Sequence, residues 1–168
     1  MEKLSINLDK DLERIALQEA RLQFRSFDAH SAWALGSRLC PLAEQRHQAI
    51  IVEIQVGGNP LFLCTMPGTA PNNLDWARRK RNVVTLMQRS SYAVGLQLQK
   101  DGTTLSEQAG RDYAAHGGCF PILLRGTGCI GTIAVSGLPQ RDDHELIVEI
   151  LAEMLEERLE ELALDAAT

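Results

Sequence analysis

The stretch Cys119–Ser136, CFPILLRGTGCIGTIAVS, decides the fold. Two short apolar runs, CFPILLR and CIGTIAVS, flank a glycine-containing turn, and that arrangement is a β-hairpin signature. With the turn centred on Gly126 and Thr127, Leu124 faces Cys129, Ile122 faces Gly131 and Phe120 faces Ile133. One side of the hairpin is then wholly apolar and belongs to a core. The glycines of GTGCIG imitate a dinucleotide fingerprint in spacing alone. That fingerprint follows a strand and opens a helix, whereas these glycines make a turn and continue into a strand, so a dinucleotide site is rejected. Cys119 and Cys129 lie about five residues apart along adjacent strands in this register, roughly 16 Å at ~3.3 Å per residue, too far for a disulfide.

Outward from the hairpin, Asp142 to Leu162 reads as one covering helix. Ile147, Leu151, Met154, Leu155, Leu159 and Leu162 line one side and a glutamate-rich face the other, with Asp142 or Asp143 as cap. Upstream, AIIVEIQVGG (49–58) and PLFLC (60–64) read as a second hairpin. Residues 9–24 have near-helical apolar spacing. Asp28 caps a helix carrying Trp33, Leu35 and Leu39 that Pro41 should end or kink. Asn72 or Asn73 caps LDWARRKRNVVTLMQ, whose apolar face is set by Trp76, Val83, Val84 and Met87. SSYAVGLQLQKDG alternates like a strand, yet Ser90 or Ser91 could cap a helix ending near Gly102, and the helix is the preferred reading.

Bulk properties exclude several classes. The 168 residues, 45% hydrophobic, suit one domain spanning 1–168 with no linker. The N-terminus interleaves acids and bases, and no segment supplies the ~18 apolar residues of a membrane span, which predicts a soluble, cytoplasmic protein with no membrane partner. Four cysteines form no CxxC pair or zinc-ribbon spacing, so reduced thiols and no metal site are expected. A net charge of −5 argues against nucleic acid as a partner.

Candidate chemistry is sparse. Arg78, Arg79, Lys80 and Arg81 sweep about 300° of a helix at ~100° per residue, so they cannot all face bulk water. Lys80, four after Trp76 and three before Val83, is on the apolar side. Either its stem runs past the core to a carboxylate or it is an anion hook in a pocket. His116 precedes a Gly-Gly strand entry, and His144 lies in the first turn of the last helix. Both belong to one end of the hairpin, where they could converge. Ser90 and Ser91 serve as caps in the simplest reading. No nucleophile set can be placed by spacing.

The motifs FRSFDAHSAWALG (24–36), TAPNNLDWARRKRNVV (69–84), RSSYAVG (89–95), YAAHGGCFPI (113–122) and GTIAVSGLPQRDDHELIVEIL (131–151) resemble an uncharacterised branch of the heme-degrading-domain superfamily. That superfamily includes the glycolate-operon G protein and a secreted heme-binding protein of sensor systems. The resemblance covers almost the whole chain. It implies an α/β (α+β) fold, a three-layer α/β/α, profilin-like architecture with an antiparallel sheet of about five strands, and a homo-oligomer. The matching polar positions include Asn73, Trp76, Arg79, Ser136, Gln140 and Asp143. The ligand-binding set it implies is Lys80, Ser91, His116, Gly118 and His144, provided that the helix base and the hairpin end meet. The function expected is binding of a small anionic ligand, with heme as the candidate cofactor and no clear catalysis. The alternatives are an enzyme acting on a tetrapyrrole or other small anion, and an oligomeric scaffold recruiting protein partners.

Overall fold

The structure is a computed structural model that describes residues 7–166. Helix α1 (Leu8–Arg21) and helix α2 (Ala29–Gln45) precede a hairpin of β1 (Ile51–Val56) and β2 (Asn59–Thr65). Helices α3 (Asn72–Met87) and α4 (Ser91–Lys100) follow, then β3 (Cys119–Leu124), β4 (Gly128–Ser136), α5 (Gln140–Met154) and the short α6 (Leu159–Leu162). Both hairpins form one antiparallel sheet in the order β2-β1-β4-β3. The expected α+β fold with its antiparallel sheet is present; the sheet has four strands among the described residues, not about five.

Side chains alternate across the sheet, so each strand supplies both faces. Phe62, Ile54, Ile133 and Phe120 lie in one cross-strand row, and all belong to the core beneath α2 and α5. On the other face Ala134 and Cys119 pack with Ala77 and Val84 of α3. Glu53, also on that face, pairs with Arg81 of α3. Helices therefore cover both faces, although Leu63 at the β2 end of the second row stays exposed.

The expected hairpin register holds at Phe120↔Ile133 and Ile122↔Gly131 but shifts at a bulge between Ile122 and Leu123, so Leu124 meets Gly128 and not Cys129. Positive φ at Gly126 and Gly128, 77° and 98°, makes the turn tight in a way side chains resist. The outer edge of β3 is occupied at both ends. Its Cys119 N–H donates to Ser91 Oγ (3.0 Å) and Cys119 O accepts from the Ser91 hydroxyl (3.3 Å). Pro121 has no N–H to offer. At the far end Leu123 O accepts from Phe24 N–H and Arg125 N–H donates to Phe24 O.

Several helix boundaries differ from expectation. Asp28 does cap α2, in a reciprocal capping box with Ser31. Pro41 does not end α2, which runs through it to Gln45 while Leu39 and Ala43 hold it in the core. SSYAVGLQLQK is helical, with the Ser90 hydroxyl accepting from Ala93 N–H. On α3 Met87 is exposed and Trp76 half-buried; Ala77, Lys80, Val83 and Val84 are the buried positions. Pro71, not Asn72 or Asn73, is the residue before α3, and Asn73 instead accepts from Ala70 N–H. The last helix is interrupted: α5 stops at Met154, Glu156 takes a positive φ, and α6 turns back to bury Leu162. The break brings Glu157 and Glu161 to Arg21 of α1, so part of the acidic face is paired and not simply solvated.

Phe120 is completely buried at the β3 end of the long apolar row. Phe120→Ala should cost about 3–5 kcal/mol of unfolding free energy, read as a fall in the denaturation midpoint with an unchanged slope.

Candidate functional site

The site forms where the base of α3 meets the strand ends and the first turn of α5. Lys80 is 3% exposed. Its ammonium donates to Asp143 Oδ2 at 2.9 Å and to Val135 O at 3.1 Å. The long stem crosses the apolar side of α3, as its spacing from Val83 requires, and the head emerges beyond the sheet. Asp143 is therefore not the cap of α5. Pro139 precedes the helix, and Asp143 Oδ1 accepts from Leu138 N–H at 3.0 Å. Burial pushes the Asp143 carboxyl up to about 6, against the lowering pull of Lys80 and of its hydrogen bonds.

Gly118 makes this pair sterically possible. Its φ is +124°, and a Cβ there would sit 2.5 Å from Val135 O and 2.6 Å from Lys80 Nζ. The glycine is the surface against which the ammonium lies, with no ligand-contacting group of its own. Next in the chain, Gly117 N–H donates to Gln140 Oε1 at 3.1 Å and ties the strand entry to the start of α5.

A cavity of about 230 Å³ opens above the pair, lined by Asn73, Trp76, Lys80, His116, Ser136 and Gln140 among others. His116 stands edge-on to the Trp76 ring at 5.2 Å, while the Arg79 guanidinium lies 4.6 Å over that ring. Partial burial first, then the positive charges of Lys80 and Arg79, lower the His116 pKa, so its imidazole is neutral at pH 7.

The lining is rich in donors. An ammonium carries three N–H groups, and two of Lys80's have partners among the described residues. Asn73 donates to Ser136 Oγ at 3.3 Å, which leaves the Ser136 proton for another acceptor. Gln140 uses its oxygen on Gly117, so its amide N–H groups also face outward. Asp143, the carboxylate of the lining, is already committed to Lys80 and Leu138.

Of the five residues expected to bind ligand, the structure brings Lys80 and His116 to this cavity and places Gly118 beneath it. Ser91 is buried and spent on the Cys119 backbone. His144 does not converge with His116. It is fully buried on the other side of α5, with Nε2 2.8 Å from Gln18 Oε1 and its ring against Tyr92 and Phe120. Burial drives its pKa to about 3, so it is a neutral core histidine. Asp143, Asn73, Ser136 and Gln140 line the site though absent from the expected set. All four lie in the motifs that carry the family resemblance, and the buried Lys80 itself demanded a carboxylate.

The family model described as "Haem degrading protein HbpS-like" matches residues 27–152. The chain belongs to this family. Within the HbpS-like group it is 87% identical over 163 residues to a UPF0303 protein of Azotobacter vinelandii, covering 95% of this chain and 98% of that protein. Among solved structures it is similar to the Ybr137w protein, with 26% identity, a TM-score of 0.76 and coverage of 86% and 87% of the two chains. It also shares its fold with a PduOC:heme complex, at 18% identity and a TM-score of 0.65 over 76% of this chain and 94% of that one.

The family description implies heme, and the residues fit it only in part. A neutral, accessible imidazole suits iron, and His116 offers one; buried His144 does not. The macrocycle does not fit inside the cavity, because about 230 Å³ is below even the ~300–1,000 Å³ of pockets that enclose drug-sized ligands. Among the described residues no group of three or more His, Cys, Asp or Glu side chains is placed to hold a bare metal ion.

Two outcomes check the ion pair. Lys80→Met should destabilise the protein by about 3–5 kcal/mol at pH 7 because it strands the buried Asp143 carboxylate, whereas adding Asp143→Asn recovers much of the loss. Asp143 holds its proton more tightly when folded, its carboxyl pushed up to about 6 from the ordinary aspartate value. Its contribution to stability is therefore fully present below the unfolded value and lost as pH rises through about 6. Denaturation midpoints across that window should show this slope, flattened in Asp143→Asn.

Proposed function

We propose that this HbpS-like protein is a cytoplasmic homo-oligomer whose cavity beside Lys80 and His116 binds a small anion, without catalysis. The observation that carries this reading is the imbalance of the lining: a buried ammonium, a hydroxyl, an amide and an imidazole converge, and their single carboxylate is already engaged. An anion there would meet charge-assisted hydrogen bonds in a partly dry site. Because Asp143 cancels Lys80 when ionised, anion affinity should rise as pH falls through about 6 and that carboxyl takes up a proton.

Acetate and inorganic phosphate, titrated calorimetrically at pH 5.5 and 7.5, test the proposal. Saturable binding, tighter at pH 5.5 and weakened at least tenfold in His116→Ala, is expected. No saturable binding of either anion at either pH overturns it.

Heme is the second reading, supported by the family description and by the accessible His116 ring beside the cavity. Since the cavity does not enclose the macrocycle, this reading requires heme to sit at its mouth. A hemin titration that gives a shifted Soret band in the parent protein and none in His116→Ala supports it; an unshifted band removes it. Self-association is supported by β2, an edge strand without a charged residue, beside exposed Trp33 and Leu63. Light scattering reads the oligomer directly.

A further inference from the structure

A second cavity of about 340 Å³ lies on the opposite side of His116, between α4, the base of α3 and the loop that leads into β3. Its walls are Leu98 and Gly95 of α4, Leu105, and Ala114 and Ala115 of the loop, with Thr103, Thr104, Gln99 and Tyr113 as the polar exceptions. An apolar body with a few convergent polar groups is the usual make-up of a small-molecule site, and this volume lies within the usual range.

Arg79 is its cation. One guanidinium nitrogen donates to Gly110 O at 2.7 Å, and the carbon stacks on Trp76. Another nitrogen is 4.0 Å from Asp75, a distant and half-exposed partner. Nε is buried and has no acceptor among the described residues. A buried donor left unmade is costly in a folded protein, and a guanidinium presents its donors in a planar fork that matches a carboxylate. The stacking on Trp76 fixes the plane of the guanidinium at the cavity wall.

We infer that the cavity between Arg79, Leu98 and Tyr113 is a second binding site, for a small monocarboxylic acid with an apolar body. The carboxylate pairs with the Arg79 guanidinium, and the body packs on Leu98, Leu105 and Ala114. This site does not depend on anion binding at Lys80, which lines the other cavity bordered by His116.

Ligand-observed ¹⁹F NMR of 4-fluorobenzoate with the full-length protein tests this, with 4-fluorobenzyl alcohol as the uncharged control. Saturable broadening by the benzoate is expected, with the alcohol at least tenfold weaker. Arg79→Gln should weaken the benzoate at least tenfold and leave the alcohol unchanged, and Leu98→Trp, which fills the cavity, should abolish both. Excess inorganic phosphate, which competes for the Lys80 cavity, should leave the benzoate unaffected, which separates this site from the first. Absence of saturable broadening overturns the inference, as does benzoate binding that survives Arg79→Gln. Because Arg79→Gln keeps most of the stem and lies outside the main core, it decides the matter even where the tryptophan variant fails to fold.

Discussion

The contact between Lys80 and Asp143 organises this end of the molecule. A buried ammonium is tolerable only with a partner and further acceptors, and Asp143 and Val135 O supply both. Meeting that demand fixes where α3 crosses the sheet, how the first turn of α5 is aimed, and why residue 118 has no side chain. The cavity is what remains outside a contact made primarily for folding. Its donors are a by-product of satisfying the pair from one side only.

The same logic explains why a fold-level name says little about chemistry here. The HbpS-like family description speaks of haem, yet His144, the histidine whose position in the first turn of α5 looked ready for a ligand, is sealed among Gln18, Tyr92 and Phe120. What the residues offer is a pair of compartments that meet at His116, one polar and one largely apolar. Function lives in such local arrangements and not in the scaffold that carries them.

Much of the scaffold was legible in the sequence because it rests on local periodicity. The two hairpins, the Asp28 cap and the inward face of Lys80 all follow from spacing within one or two turns of chain. What could not be read depended on distant partners. Pro41 is carried through α2 by buried neighbours, and the bulge at Ile122/Leu123 reflects sheet geometry. The interruption after Met154 answers to Arg21, more than a hundred residues away. For the site, spacing found Lys80 and His116, but which carboxylate meets the lysine is a tertiary fact. Ser91 and His144 lie close to the site in sequence pattern and are directed elsewhere by the backbone of Cys119 and by Gln18.

The occupied edge of β3 has a bearing on assembly. Ser91, the imino nitrogen of Pro121 and Phe24 between them leave that edge no ladder to extend, whereas β2 at the opposite margin carries no such cover within the sheet order. A sheet with one usable margin can accept one neighbour strand. Copies of this chain that met through the β2 margin would meet β2 to β2, across a two-fold axis, and such a contact closes on itself. Growth by this route ends at two subunits and cannot run on into a fibre.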